Sequence, residues 1–278
     1  MAQWLVVGAG YTGSALVRRL VAEGHDVTAT RRTAGSLALD DGTLPVRALD
    51  LAQAPPDEVP DAIIVCCAPP GADPVREMHN LVALGGRRIV YVSSTGVYAP
   101  GGGAWVDESW PLAPTTATGR ARLAAEQALS RAVATVPPHA HFTAPIDGIA
   151  MLRAAGIYGP GRGLVERMRA GTYRIVGDGR AHVSRIHVAD LVEAIVRAGE
   201  STATGAFNVA DDDPAPIGDV ADALAASLGL PPPPRVPAAS VDAEVAGMLT
   251  ADRRIANGRL KRELGVVLRY PSWRDALA

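Results

Sequence analysis

The feature that most constrains this chain is Gly8-Ala9-Gly10-Tyr11-Thr12-Gly13, which follows directly on the apolar run Trp4-Leu5-Val6-Val7. An apolar strand that runs into spaced glycines and then into a helix-forming segment, Ser14 to Glu23, commits the chain to a strand–turn–helix unit. In such a unit the first glycine permits the tight turn and the second lets backbone approach a pyrophosphate. The third lets helix and strand pack closely, so that the unpaired N–H groups of the helix N-terminus face an anion. The pattern predicts a dinucleotide site built from Gly8, Gly10, Tyr11, Thr12 and Gly13.

Beyond the glycines, short apolar runs alternate with helical patterns. Strands are expected at Gln3–Val7, Asp26–Thr30, Val46–Leu49, Ala62–Cys67, Arg88–Val92 and Ile149–Leu152, and helices at Thr12–Glu23, Val75–Leu84 and Gly119–Ala134. Near-continuous apolar strands alternating with helices predict an α/β fold of Rossmann type, a doubly wound parallel sheet covered on both faces. Thr135 to Asp147, with three prolines and no periodicity, reads as a loop. Past Tyr158-Gly159-Pro160-Gly161 the pattern predicts a helix at Leu164–Arg169, a strand at Tyr173–Val176, a helix at His187–Gly199 and a strand at Ala206–Val209. A helix at Ile217–Leu228 is stopped by Pro231 to Pro234, and a last helix, Asn257–Leu264, ends at Gly265. The expected division is a nucleotide-binding domain over residues 1–160 and a smaller C-terminal substrate lobe, mainly 161–278, partly interleaved with it.

The 278 residues carry a formal charge of -2, so electrostatics gives no reason to expect nucleic acid or an anionic membrane as partner. No stretch approaches the roughly 20 apolar residues of a membrane span, and the short N-terminal apolar run leads straight into the glycines rather than to a secretory cleavage site. Cys66 and Cys67 lie side by side in an apolar run and read as small buried residues, without redox spacing. A cytoplasmic protein acting on a small molecule, as monomer or homodimer, is the expectation.

Cofactor preference is legible at the end of the second strand. NAD-preferring sites place a carboxylate there, on the ribose hydroxyls, about 20 residues beyond the glycines. Here the place holds Thr30, followed by Arg31 and Arg32. No acid stands there to repel a 2′-phosphate, and two guanidiniums offer bidentate pairing, so NADP(H) is expected over NAD(H). Asp50-Leu51, ending the third strand, stands where an Asp could reach an adenine amino group or simply form a turn.

Several further segments bear on chemistry: Tyr91-Val92-Ser93-Ser94-Thr95-Gly96-Val97-Tyr98, Leu152-Arg153-Ala154-Ala155-Gly156-Ile157-Tyr158-Gly159-Pro160-Gly161, Arg185-Ile186-His187-Val188-Ala189-Asp190-Leu191, Phe207-Asn208-Val209 and Tyr270-Pro271-Ser272-Trp273. In this order the chain resembles the extended short-chain dehydrogenase/reductases, the NAD-dependent epimerase/dehydratase family. The resemblance implies a Rossmann cofactor domain, with Ala68, Ser93 and Gly156 among the cofactor contacts, and a hydroxyl at Ser94 bonded to the substrate oxygen. It also implies a tyrosine acting as acid or base and a lysine four residues later, which binds the nicotinamide ribose and lowers the tyrosine's pKa. The corresponding segment is Pro114-Thr115-Thr116-Ala117-Thr118-Gly119-Arg120-Ala121-Arg122-Leu123-Ala124-Ala125-Glu126, which puts Thr118 at the tyrosine position and Arg122 at the lysine position. Lys261 is the chain's only lysine and no Tyr stands four residues before it, so no change of register restores the pair.

The candidate site residues are therefore Ser94, Thr118, Arg122 and Tyr98 for catalysis, with Arg122 also a cofactor contact. Three readings stay open. The first is a reductase or epimerase in which another group supplies the proton, Tyr98, Tyr158 and Asp107-Glu108 being at hand, and preorganised donors stabilise developing charge. The second is a sensor or scaffold that binds NADP(H) without turnover, although Arg185 and His187 then want another account. The third is a metal enzyme using His139 and His141 or Asp211-Asp212-Asp213, neither of which has partners at ligand spacing.

Overall fold

The computed structural model describes residues 2–53, 58–59, 61–135 and 146–277. His139, His141 and most of the proline-rich segment therefore lie outside the described residues.

The elements run β1 (Gln3–Val7), α1 (Tyr11–Ala22), β2 (Asp26–Arg31), β3 (Gly35–Leu39), β4 (Gly42–Ala48), β5 (Ile63–Cys66), α2 (Pro74–Ala83), β6 (Arg88–Ser94), β7 (Trp105–Val106) and α3 (Ala117–Ala134). They continue with β8 (Ile149–Ala154), β9 (Gly156–Tyr158), α4 (Leu164–Arg169), β10 (Ile175–Val176), β11 (His182–Val183), β12 (Arg185–His187), α5 (Val188–Glu200) and β13 (Gly205–Val209). Last come β14 (Ala215–Pro216), α6 (Ile217–Ser227), β15 (Arg235–Val236), α7 (Ala243–Leu249), β16 (Arg254–Ile255) and α8 (Gly258–Leu264). The chain divides into two compact units. One comprises Met1–Ser93, Ala121–Leu152 and Val192–Ala206, and the other Ser94–Arg120, Arg153–Leu191 and Phe207–Ala278.

The first unit is built on a sheet with strand order β13-β8-β6-β5-β1-β2-β4-β3. The β6-β5-β1-β2-β4 stretch pairs in parallel throughout. β1 stands where the chain order reverses, the switch point outside whose carboxyl end ligands bind in open α/β sheets. Because side chains alternate along a strand, Leu5 and Val7 face one side, where Met78, Leu81 and Val82 of α2 and Ala125, Ala128, Leu129 and Ala132 of α3 close a core. Trp4 and Val6 face the other, and there glycines set the approach. A Cβ on Gly199 of α5 would meet the Trp4 ring at 2.4 Å, and one on Gly13 of α1 would lie 3.3 Å from Val6. α2 starts as its sequence dictates: Asp73 accepts the Arg76 N–H and Pro74 occupies the first turn.

The second unit has its own core, in which Tyr173, Ile175, Ile217, Val220, Ala221, Leu224 and Trp273 are buried together. α8 ends where the sequence predicts, with Gly265 in the left-handed region at φ 62°.

Two local expectations are corrected. No strand was expected between Thr30 and Val46, yet β3 folds back antiparallel on β4 with Leu39 opposite Gly42. β3 is an edge strand that buries only Leu37, so it carries no alternating apolar face to read. His187, expected to open a helix, instead ends β12, which pairs in parallel with β9 (His187 opposite Tyr158), and the helix starts at Val188.

Candidate active site

The three glycines of the fingerprint meet three different surroundings. Gly8 has φ +92°, and a Cβ there would stand 2.7 Å from the Ala68 amide nitrogen. A Cβ on Gly13 would lie 2.3 Å from the Gly8 carbonyl oxygen. A Cβ on Gly10 would meet nothing within 4 Å among the described residues. Two glycines are thus required by the fold, whereas the middle one faces open space at the N-terminus of α1. That terminus has no side-chain cap and no acidic residue in its first turn. Tyr11, Thr12 and Gly13 form the first turn, so an anion resting on Gly10 would face backbone N–H groups along the helix dipole.

Beside this loop, Thr30 is buried with its hydroxyl on the Val6 carbonyl. The Arg31 guanidinium folds back over the loop, donating from Nε to the Ala9 carbonyl at 2.6 Å and from Nη2 to Ser14 Oγ at 3.4 Å. Arg32 is exposed. Asp50 accepts the Ala52 N–H at 3.1 Å in a turn, and Leu51 is buried.

At the carboxyl ends of β5 and β6, Arg122 donates from Nη1 to the carbonyls of Val92 (2.7 Å) and Ala68 (3.4 Å) and to the Tyr91 hydroxyl (3.1 Å). Arg122 and the glycine loop therefore converge on one residue, Ala68. Ser93 is buried and bonds Glu126 at 2.5 Å. Burial pushes the Cys66 thiol up to about 11, consistent with an inert core cysteine.

In the second unit, Thr118 is exposed at the start of α3, and its N–H and hydroxyl both donate to Glu244 of α7, which also takes the Ala117 N–H at 2.6 Å. These bonds hold the Glu244 carboxyl below the usual carboxylate range. Glu244 thus caps the start of the helix at Ala117 and Thr118. The 126 residues between the partners leave no local pattern by which a sequence could announce the contact.

A cavity of about 760 Å³ lies within the second unit, and Ser94, Gly156, Tyr158, Arg185, His187, Tyr270 and Trp273 are in its wall. That volume is the size of a small-molecule site. Ser94 accepts the Gly96 N–H at 3.0 Å, which leaves its own proton to donate. Tyr98 is placed elsewhere. It is fully buried, donates to Asn208 Oδ1 at 2.7 Å and accepts from Arg153 at 3.0 Å. Glu108 accepts the Asn208 N–H, and Asp107 closes a turn on Ser109.

The aromatic wall was only partly foreseeable. His187 packs against Tyr270 at 3.8 Å and edge-on to Tyr158 at 5.3 Å. Its Nδ1 accepts the Ala189 N–H, and burial lowers its pKa, so the ring is neutral with its proton on Nε2. Asp190 fixes Tyr270 in place by accepting the N–H groups of Arg269 and Tyr270. Asp212 pairs with Lys261 at 2.6 Å and Asp213 bonds Ser272, and among the described residues no His, Cys, Asp and Glu cluster is arranged to hold a metal.

The profile of the NAD dependent epimerase/dehydratase family matches residues 4–210. The chain belongs to this family. It is 32% identical to a 3-diazoavenalumate denitrifying reductase from Streptomyces sp, with 98% of each chain covered. Among solved structures it is similar to a functionally unknown conserved protein from Silicibacter pomeroyi DSS, at 30% identity and TM-score 0.78 over 100% of this chain and 97% of that one. It also shares its fold with the human epimerase family protein SDR39U1 (isoform 2), solved with NADPH, at 21% identity and TM-score 0.77 over 100% and 98%. Family membership accounts for the doubly wound sheet and the glycine loop together. No described helix is long and apolar enough to cross a membrane.

Proposed function

We propose that this chain is an NADP(H)-dependent oxidoreductase that reduces a small molecule bound in the cavity bearing Ser94. The observation that carries the reading is the contrast among the glycines: Gly8 and Gly13 are crowded by backbone while Gly10 stands open before an uncapped helix N-terminus. Gly8, Gly10, Tyr11, Thr12 and Gly13 would hold the pyrophosphate, Arg31 and Arg32 the 2′-phosphate, and Arg122 the ribose hydroxyls, with Asp50, Leu51, Ala68 and Ser93 as further contacts. Bound NADPH supplies a hydride. Ser94 then orients the substrate through the proton it has free to donate, and fixed donors of this kind stabilise charge as it develops. The reductase relative, which spans nearly the whole chain, supports reduction over epimerisation.

One observation favours a second reading, an NADP(H)-binding sensor or scaffold without turnover: the Thr118 hydroxyl is already committed to Glu244. Calorimetric titration with NADPH and NADH, followed by a screen of aldehydes, ketones and nucleotide-sugars for loss of nicotinamide absorbance, separates the two. Turnover abolished by Ser94→Ala and retained by Thr118→Ala supports the oxidoreductase. Tight NADPH binding without turnover across the screen supports the sensor, and tighter binding of NADH overturns the cofactor preference.

A further inference from the structure

We propose that the cavity of the second unit recognises an aromatic acid, a planar ring system bearing a carboxylate or phosphate, and that Tyr158, Arg185 and Trp273 receive its oxyanion. This names the substrate class of the site described above and rests on that reading.

The first observation concerns unpaired donors. Tyr158 Oη, Arg185 Nη1 and Trp273 Nε1 are buried and have no hydrogen-bond partner among the described residues, and all three side chains belong to the wall of the same cavity. Trp273 is only 3% exposed. Folded proteins rarely leave such groups unpaired, and three on one cavity wall call for a common partner. The guanidinium and indole nitrogens can only donate. The phenol keeps its proton, because burial and then the charges of Asp211 and Asp190 raise its pKa. Three donors and no acceptor suit a group made of acceptors, which an oxyanion is.

The second observation is charge. Of the acids in the cavity wall, Glu166, Asp252 and Asp275, Asp252 is paired with His182 at 2.9 Å and Asp275 accepts the Ser272 N–H at 2.7 Å. Arg185 and Arg253 form no ion pair among the described residues, Arg253 giving its N–H groups to the carbonyls of Tyr98 and Ala99. Burial lowers the pKa of both arginines, the mark of a desolvated cation. Asp211 acts on Arg185 but is itself raised to about 8 by burial, and its carboxyl oxygens reach no hydrogen-bond partner among the described residues, so it gives Arg185 no direct ion pair. The third observation is shape: the neutral His187 ring and the rings of Tyr158 and Tyr270 form a continuous aromatic wall against which a planar ring stacks.

The test is calorimetric titration of the full chain, with and without saturating NADPH, using 4-hydroxycinnamate, its methyl ester, phenyl phosphate and UDP-glucose. The expected result is binding of an aromatic anion, with the ester about tenfold weaker than the acid, the loss anticipated for one charge-assisted hydrogen bond. Comparison of phenyl phosphate with 4-hydroxycinnamate tells which oxyanion fits better. Tyr158→Phe and Trp273→Phe each delete one donor and keep the ring, so each should weaken the acid several-fold while leaving ester affinity and Tm unchanged. Equal binding of acid and ester, undiminished acid binding by both variants, or tighter binding of UDP-glucose than of either aromatic anion overturns the proposal. NADPH binding with no aromatic anion bound overturns it and leaves the cofactor reading standing; aromatic anions bound without any NADPH binding overturn the cofactor reading alone.

Discussion

Replacing the second and third glycines of the fingerprint by alanine, one at a time, separates what the fold needs from what the ligand needs. On Gly13 the new methyl would stand 2.3 Å from the Gly8 carbonyl oxygen and 3.0 Å from its carbon, and neither atom can yield as a flexible side chain would. Overpacking of this kind costs about 1–3 kcal/mol, which for a chain of this size lowers Tm by roughly 2–12 °C. On Gly10 the methyl meets nothing within 4 Å among the described residues, and the φ of -80° lies outside the left-handed region that favours glycine. The only expected cost there is that of alanine at an N-cap, about 1 kcal/mol or less, and hence a Tm within about 4 °C of the parent. Ligand binding should show the opposite order. The Gly10 methyl occupies the approach of a pyrophosphate to the helix N-terminus, and losing one or two charge-assisted bonds worth about 1.5–3 kcal/mol each weakens NADPH by roughly tenfold to several hundredfold or more. Thermal unfolding and calorimetric titration of both variants read the two effects separately. Gly10→Ala binding NADPH as the parent does would refute the assignment of this loop to the dinucleotide. Gly10→Ala unfolding as early as Gly13→Ala would refute the structural account of the open position.

Three further outcomes follow from named groups. Arg31→Ala should weaken NADPH about tenfold or more relative to NADH, and an unchanged ratio of the two affinities removes Arg31 from 2′-phosphate recognition. Asp211 has its carboxyl raised from 3.8 to about 8 by burial, so the folded state holds a proton that the unfolded chain gives up. Stability is then full below the ordinary Asp range and lost as pH rises through about 8, by an upper bound of order 5 kcal/mol. Asp211→Asn should flatten the fall of Tm between acid and pH 8, and an unchanged slope contradicts the shift. Thr118→Val deletes only the hydroxyl that bonds Glu244, so it should lower Tm slightly and leave turnover intact; loss of turnover matching that of Ser94→Ala would return Thr118 to the chemistry.

The parts of the site that could be read in advance are those whose physics is local. A strand, three spaced glycines and a helix are contiguous, and the steric demand at Gly13 comes from Gly8 within the same few residues, whereas that at Gly8 comes from the distant Ala68. Arg31 at the end of β2 was equally legible, although its bond to the Ala9 carbonyl was not. Exposure erases the alternation that would announce the edge strand β3, and the helical pattern that follows His187 masks a short strand whose partner lies at Tyr158.

Read along its length, the chain already carries the doubly wound fold, the place of the glycine loop and the identities of Thr118 and Arg122, since apolar periodicity, glycine spacing and residue identity are properties of contiguous sequence. What Thr118 and Arg122 touch emerges only once the chain is folded. Glu244 reaches Thr118 across 126 residues, Arg122 settles on carbonyls at two strand ends, and Tyr98 vanishes into a bond with Asn208 while the Tyr158 hydroxyl in a cavity wall finds no partner among the described residues. Hydrogen-bond partners and burial are set by which segments the fold brings together, and no spacing along the chain encodes them.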